Sequence, residues 1–338
     1  MRAPMGKSRG SELEGFNMTD SSNTHKESSQ VTSKPPILVT GAAGLVGNKV
    51  RQLLEERGDV VLAIDRIVRA EIFGPVKECD LADVHRLHEL ARDGLQGVIH
   101  CGAHSGPMIV RDNPVSMVQT NIVGTANVLE VARVYRAKRF VYCSSTSAYG
   151  PTGPGPVSEE APMHPSTVYG ASKVAGEQLV TTYALQYGLN GVSLRLSWVY
   201  GPRRNTDCMI RAMITDAQAR QPTRIPYGRD IPRQYIYVED AARALVAAFD
   251  KATLPQRVYT ATGGSYKTLG EIADIVRQIL PQAVIEFGAG VDPDDDIQQE
   301  FDISAAKRDF GYLPRYDLHA GIREYANWLW LQASEPRS

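Results

Sequence analysis

The chain has 338 residues, a length that accommodates two domains or one large α/β unit with an additional lobe. Its 37 Lys and Arg residues nearly balance its 38 Asp and Glu residues, so the net charge is −1. Because nucleic-acid binding depends on an excess of positive charge, we expect no nucleic-acid partner. Hydrophobic residues make up 43% of the chain and charged residues 22%, which is typical of a globular protein and excludes disorder throughout.

Membrane, metal and disulfide-stabilised classes are also disfavoured. No apolar run approaches the ~18 residues that span a bilayer, so we expect no membrane partner. Cys79, Cys101, Cys143 and Cys208 lie far apart, and no Cys/His cluster has metal-ligand spacing, so we expect neither a disulfide framework nor a metal site. Residues 1–35 are polar and lack the apolar segment of a signal peptide, which predicts a disordered leader and a cytoplasmic protein.

From residue 36 onwards, apolar strand-like segments alternate with helical ones. Strands are predicted at 37–40, 60–64, 97–102, 140–144 and 191–199, with one more before Asp80, and helices at 45–56, 115–134 and 168–187. Because parallel strands need crossover connections, this alternation predicts an α/β fold with a doubly wound parallel sheet, a Rossmann domain, at 36–200.

After residue 200 the predicted elements become shorter. Helices are predicted at 208–220, 239–250, 268–280 and 318–332, and a strand at 234–238. This pattern predicts a smaller C-terminal α+β substrate-binding lobe at 201–338, with part of 233–262 returning to the main sheet.

A glycine-rich turn joins the first predicted strand to the first helix. Gly41 suits a tight turn, Gly44 lets backbone N–H groups approach a diphosphate, and Gly47 lets helix and strand pack closely. Asp65 ends the second strand, where an acidic residue binds the adenosine ribose and favours NAD over NADP. Arg66 could instead reach a 2′-phosphate. Ordinary turn glycines and a strand-ending turn aspartate are the structural alternatives.

Polar residues follow two further strands. Asp80 and Leu81 come after the third strand, where they could contact the adenine edge, although Asp80 could equally cap the next helix. Ser144 and Ser145 end a buried strand. Because ligands bind at the carboxyl ends of the strands in such a sheet, one of these hydroxyls is expected to face the same crevice as the glycine turn.

Tyr169 and Lys173 are separated by one helical turn and therefore lie on one face of their helix. A nearby ammonium favours the phenolate, the form that abstracts an alcohol proton as a general base. A single pair of this spacing also arises by chance, so it carries weight only together with the other motifs.

These motifs, taken in order, resemble those of a known enzyme family. They are Gly41-x-x-Gly44-x-x-Gly47, Asp65, Asn121-Ile122-Val123-Gly124-Thr125, Ser144-Ser145-x-x-x-Tyr149-Gly150, Tyr169-x-x-x-Lys173 and Tyr200-Gly201-Pro202-Arg203. In order and approximate spacing they resemble the extended short-chain dehydrogenase/reductases, in particular the NAD-dependent epimerase/dehydratase family. The resemblance extends from about residue 36 to the C-terminal helix.

The resemblance implies roles for particular residues. Ser145 matches the catalytic hydroxyl, Tyr169 the base, Lys173 its partner and the ligand of the nicotinamide ribose, and Asn121 the asparagine that supports the site. The residues expected to bind NAD are Gly41, Gly44, Leu45, Val46, Gly47, Asp65, Arg66, Asp80, Leu81, Gly102, Ala103, Tyr169 and Lys173. The family also implies a homodimer, and extra apolar positions on two helices agree, namely Val123, Ala126, Val131, Val174, Leu179 and Ala184.

The chain departs from the family pattern in three places. Thr146-Ser147 stands where the family's dehydratases carry Asp-Glu, so dehydration is not expected. Trp198 and Pro293 occupy the positions of two residues that hold the nucleotide in nucleotide-sugar enzymes, whereas Arg233 matches a third. The aspartates after Pro293 would also repel a diphosphate.

We therefore predict an NAD-dependent oxidoreductase that takes hydride from a secondary alcohol of a sugar or sugar-acid substrate, as a dehydrogenase or an epimerase. The alternatives are a nucleotide-sugar 4-epimerase of the UDP-glucose type and, less favoured, a non-catalytic dinucleotide-binding protein. The residues expected at the substrate are Ser105, Ser145, Trp198, Arg203 and Arg233, with His104, Arg204 and Arg211 nearby.

Overall fold

The structure, a computed structural model, describes residues 34–68, 74–292 and 296–334. The predicted leader, apart from its last two residues, and Pro293 with the two aspartates after it lie outside these residues. The main feature is a seven-stranded parallel sheet, which confirms the predicted doubly wound α/β class. Its strands are β1 (Ile37–Thr40), β2 (Val61–Asp65), β3 (Lys77–Glu78), β4 (Gly97–His100), β5 (Phe140–Ser145), β6 (Gly191–Leu196) and β11 (Val258–Ala261), in the order β11-β6-β5-β4-β1-β2-β3.

Helices cover both faces of this sheet, because its strands carry apolar residues on both sides. On one face lie α1 (Leu45–Glu56) and α7 (Val238–Asp250), packed through residues such as Val50, Leu54, Ala241 and Leu245. On the other face lie α2 (Val84–Ala91), α4 (Gly124–Val134) and α5 (Val168–Tyr187), packed through Leu87, Val128, Leu129 and Val180.

The remaining elements surround a second core. Its strands are β7 (Trp198–Tyr200) with β10 (Tyr235–Tyr237), β8 (Thr223–Tyr227) with β13 (Ile285–Gly290), and β9 (Pro232–Arg233) with β12 (Lys267–Thr268). Its helices are α6 (Met209–Gln218), α8 (Leu269–Ile279) and α10 (Leu318–Ser334), while α9 (Ser304–Phe310) packs on the main sheet's core. None of the helices in the described part of the chain is long and apolar enough to cross a membrane.

Two predicted elements are divided in the structure. The strand predicted at 191–199 breaks at Ser197 into β6, in the main sheet, and β7, which pairs with β10. The helix predicted at 115–134 consists of α3 (Pro114–Val118), a π-helical turn at Gln119–Val123 and α4. Both divisions lie next to the cleft described below.

Candidate active site

A cleft of about 580 Å³ opens at the carboxyl edge of the main sheet. Ligands of open parallel sheets bind at this edge, where loops from several strands meet. The predicted residues that line the cleft are Gly41, Gly44, Leu45, Val46, Gly47, Asp65, Arg66, Asp80, Leu81, Gly102, Ala103, Ser105, Ser145, Tyr169, Lys173 and Trp198. Residues separated by more than a hundred positions in sequence are thus brought together.

The glycine turn is built so closely that side chains are excluded. Gly41 has φ +65°, and a Cβ atom there would lie 2.8 Å from the backbone of Gly102. A Cβ atom at Gly47 would overlap the carbonyl oxygen of Gly41. The turn therefore leaves bare backbone at the N-terminus of α1, where N–H groups and the helix dipole suit a diphosphate.

Asp65 braces this turn. One carboxylate oxygen accepts a hydrogen bond from the backbone N–H of Ala43 at 2.9 Å, and the other accepts one from Ile67 at 3.2 Å. Asp65 is half-buried at the cleft wall, and Arg66 beside it is exposed. The carboxylate thus stays next to the turn, at the end of β2, where a ribose hydroxyl would meet it.

Asp80 lines the same end of the cleft but does not cap the following helix. Its carboxylate accepts from the backbone N–H of Ala82 at 2.9 Å, whereas the N-cap of α2 is Asp83, which accepts from Arg86. The helix-capping alternative for Asp80 is therefore wrong, because the helix begins three residues later than that alternative requires.

The two serines at the end of β5 point in different directions. Ser144 is buried and donates to the carboxylate of Glu177, which also forms a buried ion pair with Arg195 at 2.7 Å. Ser145 is half-buried in the cleft wall, and its hydroxyl oxygen accepts from the backbone N–H of Ser147 at 3.1 Å. Strand alternation thus leaves Ser145 as the hydroxyl available to a ligand.

Tyr169 and Lys173 line the cleft from the first turns of α5. The Lys173 ammonium donates to the carbonyl oxygen of Cys143 at 2.8 Å and lies 5.6 Å from the centre of the Tyr169 ring. Burial opposes the charge on Lys173, but charge interactions with the acidic groups Tyr142, Tyr169, Cys143 and Cys101 together raise its pKa. The lysine therefore remains a buried cation beside Tyr169.

Asn121 does not line the cleft; it is 1% exposed and connects two of its walls. Its side-chain oxygen accepts from the backbone N–H of His104 at 2.8 Å, and its amide donates to the His104 carbonyl at 3.0 Å and to Ser172 at 3.0 Å. Ser172 in turn donates to the Tyr169 carbonyl at 2.7 Å. Asn121 thus fixes the loop after β4 relative to the helix that carries Tyr169 and Lys173.

A buried histidine extends this network to the glycine turn. Thr125 donates to the Asn121 carbonyl at 2.6 Å, so its oxygen accepts from Nε2 of His100 at 3.0 Å. Nδ1 of His100 then accepts from Thr40 at 2.6 Å, and Thr40 accepts from the N–H of Gly102 at 3.0 Å. Burial, aided by Lys173, lowers the pKa of His100 to about 3, so the ring is neutral.

Two predicted substrate residues do not line the cleft. Arg233 is buried, and its guanidinium pairs with Asp292 at 2.9 Å. Arg203 has φ +71°, and its pKa is lowered by burial and by the nearby Arg51. Neither arginine is among the residues that line this cleft, so their contact with the substrate stays a prediction.

Two residues expected near the substrate, His104 and Arg204, also line the cleft. Arg204 lies over the Trp198 ring at 5.8 Å and donates to the carbonyls of Val199 and Asp207. Cleft residues that were not predicted to bind ligand include Ala43, Ile67, Cys79, Cys101, Thr120, Cys143, Ser147, Asn205 and Thr206. The motif Tyr200-Gly201-Pro202 marked this loop, but only the fold identifies which of its residues face inwards. Within the described residues no cluster of His, Cys, Asp or Glu could hold a metal ion.

Comparison with known proteins identifies the family. Residues 37–261 match the family described as "NAD dependent epimerase/dehydratase family". The chain belongs to this family. The expected resemblance is thereby confirmed, and so is NAD as the cofactor, which the family description names. The bare glycine turn at one end of the cleft and the Tyr169–Lys173 pair that also lines it are compatible with a dinucleotide.

Individual relatives have two kinds of activity in their names. UDP-glucuronate 4-epimerase 6 of Arabidopsis thaliana is 30% identical, covering 88% of this chain and 73% of that protein. A dTDP-glucose 4,6-dehydratase of Neisseria meningitidis is 30% identical, covering 86% and 92%. Among solved structures, the Thermotoga maritima UDP-glucose 4-epimerase with UDP-glucose has a TM-score of 0.82 at 25% identity, covering 88% of this chain and all of that one. The Bacillus cereus UDP-glucuronic acid 4-epimerase with UDP-glucuronic acid and NAD has a TM-score of 0.79 at 25% identity, covering 88% and 99%.

Proposed function

We propose that this chain is an NAD-dependent nucleotide-sugar 4-epimerase. The observation that carries the proposal is the shared cleft: Ser145, Tyr169 and Lys173 line the same cavity as the glycine turn. Its relatives named as 4-epimerases of UDP-glucuronate and UDP-glucose supply the substrate class. NAD, when bound, supplies the hydride acceptor and donor of the reaction.

In this proposal the chain's own residues handle the proton and hold the sugar oxygen. The Tyr169 phenolate accepts the proton of the C4 hydroxyl, and Ser145 donates a hydrogen bond to the same oxygen as it becomes a carbonyl. The buried Lys173 ammonium, held by the Cys143 carbonyl, stabilises the negative charge on the Tyr169 oxygen. After the sugar turns in the cleft, Tyr169 returns the proton to the epimeric alcohol.

Epimerisation is favoured over dehydration by the residues after Ser145. Elimination of water needs a further acid and base beside the sugar. Thr146 is buried, and the Ser147 hydroxyl is hydrogen-bonded to the Ser145 hydroxyl. These two residues therefore do not supply the acid and base that elimination needs. The carboxylates among the described cleft-lining residues are Asp65 and Asp80, which lie after β2 and β3, away from Ser145 in the sheet order.

A second candidate, an epimerase or dehydrogenase of a sugar acid without a nucleotide, is favoured by two observations. Trp198 lines the cleft at the position where, by the family resemblance, nucleotide-sugar enzymes carry a residue that holds the nucleotide. Arg233, the expected nucleotide ligand, is paired with Asp292 instead. A diphosphate would have to displace a carboxylate to reach this arginine.

The test is a substrate panel with separate readouts for binding and chemistry. Calorimetry of the NAD-loaded protein is carried out with UDP, UDP-glucose, UDP-glucuronate, dTDP-glucose and free glucuronate. Each sugar is then incubated with enzyme, and products are separated by chromatography while absorbance reports NADH. Micromolar binding of a nucleotide sugar with a 4-epimer as product supports the proposal.

Other outcomes decide between the rivals. Conversion of free glucuronate without detectable UDP binding favours the second candidate and contradicts the first. A 4-keto-6-deoxy product from dTDP-glucose would identify a dehydratase. Steady accumulation of NADH with each turnover would identify a net dehydrogenase.

A further inference from the structure

Cys101 and Cys143 lie side by side at the floor of the cleft. In the β4–β5 register His100 is opposite Tyr142; Cys101 is the first residue after β4, and Cys143 is the residue after Tyr142 within β5. Both side chains line the cleft and pack against the same core, which places them on one face of the sheet. Neighbouring strands are ~4.8 Å apart. That spacing lies within the ~4.4 to 6.8 Å between Cα atoms that a disulfide requires.

The two thiols have different chemical character. Interaction with the neighbouring Cys101 thiol, with help from the Lys173 charge, lowers the pKa of Cys143 although burial opposes it. Interaction with Cys143, together with burial, raises the pKa of Cys101. Cys143 is therefore the thiol closer to the reactive thiolate form, and Cys101 is a protonated neighbour within bonding reach.

The backbone at Cys101 is directly coupled to the cofactor turn. A Cβ atom at Gly41 would lie 2.8 Å from the Cys101 carbonyl carbon, so the glycine turn packs directly against the Cys101 peptide. The N–H of Cys101 also donates to the Thr40 carbonyl at 3.3 Å, and the Cys143 carbonyl holds Lys173. A bond between the two sulfurs would therefore act directly on the peptide that the glycine turn packs against and on the carbonyl that holds the Lys173 ammonium.

We propose that Cys101 and Cys143 form a reversible redox pair, which a peroxide oxidises to a disulfide that weakens NAD binding. The Cys143 thiolate attacks one peroxide oxygen, the O–O bond breaks, and with one proton taken up the products are a sulfenic acid and water. Cys101 sulfur then attacks the sulfenic sulfur; the S–O bond breaks, and the departing hydroxide takes the Cys101 proton as a second water. The two sulfurs lose two electrons together, and the peroxide gains them. A dithiol reductant reverses the change.

The experiment follows mass and NAD affinity, so it does not depend on which sugar is the substrate. Wild-type protein is treated with hydrogen peroxide, with and without NAD, and digested without reductant. We expect a peptide joining Cys101 to Cys143, a mass loss of roughly 2 Da, slower formation when NAD is present, and NAD affinity reduced by about tenfold or more. Dithiothreitol should restore both mass and affinity.

Variants separate this pair from general thiol oxidation. Cys208→Ser is the matched control, since Cys208 lies at the start of α6 and should leave the cross-link unchanged. In Cys101→Ser the sulfenic acid has no partner, so Cys143 should gain two or three oxygens that dithiothreitol does not remove. Free thiols at both positions after peroxide treatment, or a disulfide that leaves NAD affinity unchanged, would overturn the proposal.

Discussion

Tyr169 is the residue on which the proposed chemistry depends most directly. Replacing it with Phe removes the proton acceptor but keeps the ring next to Lys173, and the glycine turn is untouched. We expect kcat to fall by ~10² to 10⁴-fold while NAD affinity stays within about twofold. Steady-state kinetics and calorimetry with NAD test this, with Tyr187→Phe as the control, because Tyr187 is exposed at the far end of the same helix. A Tyr169→Phe enzyme retaining more than about a tenth of the wild-type kcat would assign the base elsewhere.

We expect Asp65 to determine which cofactor is preferred. Its carboxylate is fixed by the N–H groups of Ala43 and Ile67, so it cannot swing away from a 2′-phosphate. We expect kcat/KM to be higher with NAD than with NADP, and Asp65→Asn, which keeps one acceptor oxygen, to shift the ratio towards NADP by about tenfold or more. Kinetics with both cofactors measure the ratio, and Arg66→Ala is the companion variant. If the wild-type enzyme uses NADP equally well, Arg66 rather than Asp65 governs the choice.

For individual residues, the sequence predicts the location well when they belong to contiguous motifs. It predicts the location poorly when residues come together only through the fold. The glycine turn, Ser145, Tyr169 and Lys173 line one cleft as their motifs required. The buried Glu177–Arg195 pair behind Ser144 was not expected, although Glu177 stands one further turn along the face of Tyr169 and Lys173. Long side chains such as that of Arg233 can reach several partners, so their direction is decided by tertiary contacts that a sequence does not display.

Among the elements, the helix before α4 carries the least expected feature. The π-helical turn at Gln119–Val123 contains Asn121. The Asn121 carbonyl oxygen, which accepts a backbone N–H in a regular α-helix, here accepts a hydrogen bond from the Thr125 hydroxyl. Such turns often occur at functional sites. Nothing in the apolar periodicity of 115–134 signals an extra residue per turn, because the change affects only the five residues Gln119–Val123. The break of the strand at Ser197 could not be predicted either, because the residues on both sides of it are mostly apolar.

The His100 network that joins β1, β4 and the π-helical turn should make stability depend on pH. The pKa of His100 is about 3 in the folded protein, against the ordinary histidine value of 6.5 that applies once the chain unfolds. Below pH 6.5 the unfolded chain therefore binds one more proton than the folded chain, so the free energy of unfolding decreases as the pH falls. The expected loss is about 1.4 kcal/mol per pH unit, or roughly 2 kcal/mol between pH 6.5 and 5.

Urea unfolding at several pH values measures this loss. His100→Gln keeps a donor and an acceptor for Thr125 and Thr40 but does not titrate, so its free energy of unfolding should change less over the same interval. His85→Gln, at an exposed position on α2, should retain the wild-type slope. Equal slopes for wild-type and His100→Gln would mean that other groups cause the acid sensitivity.

For the whole molecule, the helical face formed by α3, α4 and α5 leaves apolar side chains uncovered. Exposed residues on it include Val115, Val118, Val123, Val168 and Leu185. The sequence named a partly different set: Val123 is exposed, but Val131 and Ala184 are buried within the chain, because the π-helical turn and the sheet contacts set which side of each helix faces inwards. An apolar face that is uncovered in one copy is typical of a subunit interface.

We accordingly expect a homodimer in which these helices pack against their symmetry copies. Val123 is 49% exposed at the end of the π-helical turn between α3 and α4, so a charge there would be buried without a partner in the expected dimer. Val123→Glu should therefore raise the dimer dissociation constant by roughly 100-fold, which corresponds to about 2.7 kcal/mol. Leu331→Glu is the matched control, since Leu331 is 62% exposed on α10, away from this face. Light scattering and sedimentation at micromolar concentration measure the mass. A wild-type monomer would contradict the expected dimer. Loss of the dimer in Leu331→Glu but not in Val123→Glu would contradict this interface and place it at the C-terminal helix instead.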